Sequence, residues 1–128
     1  MEFSLSSEQE MIIDTVRSFV EQELYPHEDE VEKTNHIDVS LAESIKQKAI
    51  NLGLYATNMP VEYGGGGLDT LTLCLLEKEL GKANFGLQYI VARPSNILMA
   101  CKDEQIDKYL VPTIRGEKVD CLAMTEPN

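Results

Sequence analysis

Few residues of the types that do chemistry stand at spacings that would let them do it. Gly64, Gly65, Gly66 and Gly67 run together, and consecutive backbone N–H groups in such a run can make a nest for an anion. A phosphate-binding loop also needs a Lys-Ser or Lys-Thr pair after the glycines and a strand before them. Neither is present, so the run is expected to be a flexible turn. His27 and His36 flank Glu28, Asp29, Glu30 and Glu32, but their spacing fits no zinc motif, and a hydrated acidic face is expected with no metal site. Cys74, Cys101 and Cys121 are odd in number and far apart, without CxxC spacing. They are expected to be reduced and packed among apolar neighbours. Glu77 lies in the most apolar segment, where burial would raise a carboxyl pKa and make a base of it. A hydrogen-bonded carboxylate, or one facing a lysine, is the expectation there. With no Gly-x-Ser-x-Gly, HExxH or Cys-His pairing, no catalytic residue is assigned.

The whole chain sets the bounds. Its 128 residues suit one domain with a core, and 43% apolar with 26% charged residues is a globular composition. A formal net charge of −11 opposes polyanions, which argues against nucleic acid or an anionic membrane as partner. No apolar run approaches a membrane span, and Met1-Glu2-Phe3-Ser4 lacks the basic and apolar regions of a secretory signal, so a cytoplasmic location is expected.

The elements that would position any site are helical. Ser6 with Gln9, or Ser7 with Glu10, forms a capping box, and Ile12, Ile13, Val16, Phe19, Val20 and Leu24 follow at helical spacing, predicting a helix over 7–25. Pro26 should break or redirect it, with a solvated acidic continuation to about Asn35. A second helix begins near Asp38, carries Leu41, Ile45, Ala49 and Leu52 on one face, and ends at Gly53. Residues 54–67 lose the period and read as a long loop. Asp69 caps a third helix to about Lys82, so rich in leucine that neighbours should enclose it. A fourth spans 85–100, kinked or split at Pro94. A short one from Asp103 ends at Gly116. Val119, Cys121 and Ala123 alternate with Asp120, Leu122 and Met124 as in a strand. The expected fold is therefore all-α, five or six helices in an orthogonal or up-down bundle with one short terminal β-strand. A lone strand has no sheet to join, which reads as a cut inside a longer protein.

The order of several segments resembles the acyl-CoA dehydrogenase family along essentially the whole chain. It begins with Ser7-Glu8-Gln9-Glu10, Val16-Arg17-Ser18-Phe19 and Glu23-Leu24-Tyr25-Pro26. It continues through Leu52-Gly53-Leu54, the run from Pro60 to Leu68, and Glu77-Lys78-Glu79-Leu80-Gly81. The most specific series is Asp103-Glu104-Gln105, Lys108-Tyr109-Leu110, Pro112, Gly116-Glu117-Lys118 and Thr125-Glu126-Pro127-Asn128. The resemblance implies a helical N-terminal domain over residues 1–116, with 117–128 opening a middle β-domain. It also implies a flavoprotein of fatty acid metabolism, usually a homotetramer with FAD between its parts. In that family the flavin takes a hydride from the acyl β-carbon while a glutamate of the C-terminal part, outside this chain, removes the α-proton.

By the same resemblance Leu122 and Met124 pack near the flavin ring and Thr125 hydrogen-bonds its polar edge, while Gln88, Ala92 and Arg93 line the acyl cavity. Arg93 facing inward could pair a substrate carboxylate. Cys101-Lys102 replaces the family's usual Gly-Thr or Gly-Ser, and Pro94 interrupts the helix, so chain length is not assigned. The implied partners are an acyl-CoA substrate and an electron-transfer flavoprotein or other acceptor, with no nucleic acid and no membrane span. The chain alone should bind little or no FAD and be inactive. An enoyl-CoA reductase or acyl-CoA oxidase of the same family is the alternative. So is a non-enzymatic helical module that binds through an apolar face left open on the third and fourth helices, with self-association as its sign.

Overall fold

The computed structural model describes residues 4–91 and 94–121, and the described chain is all-α. Helix α1 (Ser7–Phe19) starts on a reciprocal cap: Gln9 N donates to Ser6 Oγ at 3.2 Å, and Ser6 N donates to Gln9 Oε1 at 3.1 Å. Of the break or redirection expected at Pro26, the break does not occur, and the acidic continuation ends at Asn35 as expected. A π turn over Val20–Leu24 comes first, closed by Tyr25 N donating to Val20 O, and α2 (Tyr25–Thr34) continues from it. The reason is local. Proline has no N–H to donate, and its ring collides with the carbonyl four residues back; one wider turn accommodates both within a helix. The same device recurs ahead of Pro112, where a π turn over Ile106–Leu110 leads into α6 (Val111–Ile114). There the Lys108 carbonyl, which the proline cannot use, accepts Lys118 Nζ at 2.7 Å.

Asn35, in the left-handed region at φ 49°, ends α2. Asp38 then caps α3 (Val39–Asn51) by accepting from Ser40 N at 2.8 Å, and Gly53 at φ 71° follows its end. Asp69 accepts from Leu71 N and Thr72 N to start α4 (Thr70–Leu80). Helix α5 (Phe85–Val91) and a 3-10 helix over Asn96–Ala100 lie on either side of Pro94, so the predicted fourth helix is two shorter ones.

Helix α1 packs on α4, and α3 on α5. Their facing residues make the main core: Val16, Phe19, Val20, Leu24, Ile45, Ala49, Leu76, Leu80, Leu87 and Val91 among them. A second cluster joins Ala56 and Met59 of the long loop to Leu110 and Ile114. Helix α4 is not enclosed as its leucines suggested. Helix α1 covers one side, and Leu71 stays 57% exposed, because a leucine-rich helix is buried only as far as the chain supplies neighbours. Cys101 packs against the second cluster, but Cys74 and Cys121 are free and exposed, against the expectation of apolar packing. Val119, Asp120 and Cys121 form no regular element; the rest of the expected strand, residues 122–124, lies outside the described residues. Among the described residues no helix is long and apolar enough to cross a membrane.

Candidate functional site

The glycine run is a packed turn, not an anion nest. Gly64 N donates to Val61 O, Gly65 N to Pro60 O, Gly66 N to Ala56 O and Gly67 N to Met59 O, at 2.9–3.0 Å, so each N–H is already used. The turn is also tighter than expected. A Cβ on Gly65 would sit 2.2 Å from Met59 O, and one on Gly66 would sit 2.8 Å from Thr57 Cα. These glycines let two loop segments touch backbone to backbone. Leu68 N donating to Thr57 O at 2.9 Å closes the pair, and the 54–60 segment is thereby pinned against α4 and α5.

The acidic stretch has a positioning role as well as a solvated face. Glu28 accepts from Asn84 N at 2.6 Å, and Glu32 accepts from the Asn84 side chain. Asn84 Oδ1 in turn accepts from Gly86 N at 2.8 Å, which starts α5. After α5, Asn58 Nδ2 donates to Pro94 O at 2.8 Å and to Asn96 Oδ1 at 2.6 Å, which ties the loop to the chain that follows the helix. Ser95 N donates to Asp120 at 3.1 Å.

Helix α5 so fixed has a cavity on each flank. Gln88 and Val91 face one of 310 Å³, completed by Leu54 and Thr57 of the loop and by Leu76, Glu77 and Leu80 of α4. Tyr89 and Ile90 face a larger one of 490 Å³, with Val39, Lys46, Tyr55, Asp120 and Cys121. Burial, then the charge of Asp120, pushes the Tyr55 hydroxyl pKa up. Of the residues implied for substrate, Gln88 therefore lines the smaller cavity. Ala92 and Arg93 lie outside the described residues, as do Leu122, Met124 and Thr125 for the flavin.

Glu77 is exposed and lines the smaller cavity. Among the described residues the buried carboxylate is Glu79, 5% exposed, which sequence reading passed over. It accepts from Lys82 Nζ at 2.5 Å and from Arg17 Nε at 3.3 Å. Lys82 first, then Arg17, holds its carboxyl below the usual carboxylate range, and the Arg17 pKa rises in response. This cluster ties α1 to α4 and faces neither cavity flanking α5. Thr57 and Asn58 were also missed. They fall in the stretch without period, where a single sequence signals only a turn.

The model of the family described as "Acyl-CoA dehydrogenase, N-terminal domain" matches residues 6–117. A 3-(aryl)acrylate reductase of Clostridium sporogenes is 36% identical over 95% of this chain and 33% of its own length. A probable acyl-CoA dehydrogenase of Bacillus subtilis is 32% identical over the full chain and 34% of its own length. A solved structure described as the electron transferring flavoprotein of Acidaminococcus fermentans superposes with a TM-score of 0.79 at 31% identity, over 99% of this chain and 34% of that one. The chain thus spans about one third of the length of the relatives it matches. With helices, caps and glycine turn falling inside the matched span, the chain belongs to the acyl-CoA dehydrogenase family, an oxidoreductase family whose N-terminal domain it carries.

Proposed function

We propose that the protein carrying this chain is an FAD-dependent acyl-CoA dehydrogenase that desaturates the α,β bond of an acyl-CoA, with this chain as one wall of the acyl cavity. The observation that carries the reading is the 310 Å³ cavity between α4, α5 and the glycine-pinned loop, with Gln88 in its wall, inside a chain of this family. In such an enzyme the flavin supplies the hydride acceptor. The residues of this chain would hold the acyl tail and keep water from it, with Ala92 and Arg93 extending the wall. Leu122, Met124 and Thr125 would meet the flavin ring, in a segment over 117–128 that opens the middle domain. Donors such as a threonine hydroxyl and backbone N–H suit a ring that gains negative charge on reduction. A homotetramer, an electron-transfer flavoprotein as acceptor and a cytoplasmic location complete the proposal.

A second reading, reduction of an enoyl-CoA, is favoured by the likeness to a protein of Anaerotignum propionicum described as an acryloyl-CoA reductase (NADH), 34% identical over the full chain. Anaerobic spectroscopy of the full-length protein separates the two. Loss of the oxidised flavin band on adding acyl-CoA supports the dehydrogenase. Oxidation of the pre-reduced flavin by enoyl-CoA, with no response to acyl-CoA, supports the reductase. A full-length protein that purifies without flavin and binds none sinks both. By themselves, the 128 residues are expected to show little or no flavin binding and no turnover, because a cofactor needs contacts converging over most of its surface.

A further inference from the structure

The smaller cavity beside α5 is apolar on most of its wall, through Leu54, Leu76, Leu80 and Val91, but Thr57 and Gln88 interrupt it. Thr57 is only 3% exposed. A hydroxyl left at that depth without a partner costs roughly 1–3 kcal/mol, a cost that valine, of nearly the same shape, would avoid. No described residue hydrogen-bonds the Thr57 hydroxyl or the Gln88 carboxamide. Yet Thr57 Oγ1 is not sealed in: the buried side-chain atom without a partner among the described residues is Asn58 Oδ1. The Thr57 hydroxyl therefore stays reachable, in a residue that lines the cavity. Gln88, the α5 residue of the same lining, offers a donor and an acceptor.

We infer that this cavity selects an acyl-CoA whose tail carries a neutral hydrogen-bonding group, a hydroxyl or an amide, over one with a plain hydrocarbon tail. This rests on the reading of the cavity as the acyl site. Thr57 and Gln88 are then its specificity-determining residues, each able to donate to and accept from the tail. A carboxylate tail fits less well, because the chain carries a net charge of −11. A site built to bond a polar group rejects an analogue lacking it far better than an apolar pocket rejects an added hydroxyl, so the polarity of the tail should be read strongly.

The test uses the full-length flavoprotein and a series from ω-hydroxybutyryl-CoA to ω-hydroxyoctanoyl-CoA. Each is paired with the isostere whose methyl replaces the hydroxyl, and the dicarboxylic acyl-CoA esters form a third arm. The expected result is a kcat/KM ratio of about tenfold or more in favour of the hydroxyacyl ester at one chain length. In Thr57→Val and Gln88→Met that ratio should fall toward unity, mainly through KM for the hydroxyacyl ester, and Thr57→Ser should restore it. Equal rates for the two tails, preference for the hydrocarbon, or a ratio untouched by Thr57→Val would overturn the inference while leaving the dehydrogenase standing. Preference for the carboxylate tail would overturn it in favour of an inward Arg93. No response of the flavin to any ester removes the proposed function and this inference together.

Discussion

The two apolar clusters of this domain are built by different physics. The larger is made by helices α1, α3, α4 and α5, with the apolar face of each turned inward: Val16, Val20 and Leu24 on the first helix and its π turn, Ile45 and Ala49 on the third, Leu87 and Val91 on the fifth. The smaller is made where chain without period, Ala56 to Met59, meets the residues on either side of Pro112. It is held by backbone contacts that only glycine permits and by Ala56 in the left-handed region at φ 55°. The first cluster should therefore answer to lost side-chain volume, and the second to added atoms and altered backbone.

Substitutions can break or sharpen that contrast. The largest effect is expected from Leu87→Ala, which empties a fully buried position of the main core and should cost about 2–5 kcal/mol, read by urea unfolding. Recovery of wild-type stability there would mean that the cluster closes over the void. Next comes Gly65→Ala. Its new methyl meets the Met59 backbone, and overpacking of that kind costs about 1–3 kcal/mol or more. Amide exchange should rise first at Gly66, Gly67 and Leu68, whose N–H groups bond the facing segment. Protection lost equally in α1 would show that the two clusters unfold as one.

Glu79→Gln tests the polar seam of the main core. Removing the charge that Lys82 and Arg17 share should cost about 1–3 kcal/mol at neutral pH. Because the folded state lowers this carboxyl pKa, its contribution is present above the ordinary value of 4.5 and is lost as pH falls through the folded value. The variant should flatten the acid side of the stability profile below that pH, and an unchanged slope would remove Glu79 as its cause. Gly64→Ala should have the smallest effect, about 1–2 kcal/mol. At φ 95° its backbone is strained for alanine, but the nearest atom to the new Cβ is Ile114 Cγ2, at an unhindered 3.8 Å. If it costs as much as Gly65→Ala, conformation and not close approach governs the loop.

The exposed aromatic pair on α5 bears on the same contrast. Phe85 is 73% and Tyr89 58% exposed, with ring centroids 6.0 Å apart. An apolar surface of this kind lies on the fourth predicted helix, where an open face was expected, whereas the one on α4 centres on Leu71 and the exposed Cys74. Light scattering of the 128-residue chain should show self-association, and Phe85→Ser with Tyr89→Ser should reduce it if this pair is the contact.

The sequence by itself determined the helices and most of their ends. Capping at Ser6, Asp38 and Asp69 is chemistry between residues two or three positions apart, and the 3.6-residue period marks the buried faces. Family membership was also legible, because ordered short segments survive in the chain whatever its fold. Tertiary structure alone decided the rest. That Pro26 continues a helix depends on a wider turn that no composition announces. That Glu79, not Glu77, is the buried carboxylate depends on where α1 lies across α4. And that Thr57 and Gln88 line one cavity depends on glycines which bring the loop against two helices. Contacts within a turn can be read from neighbours in sequence; contacts between residues some thirty positions apart are set by how the elements pack.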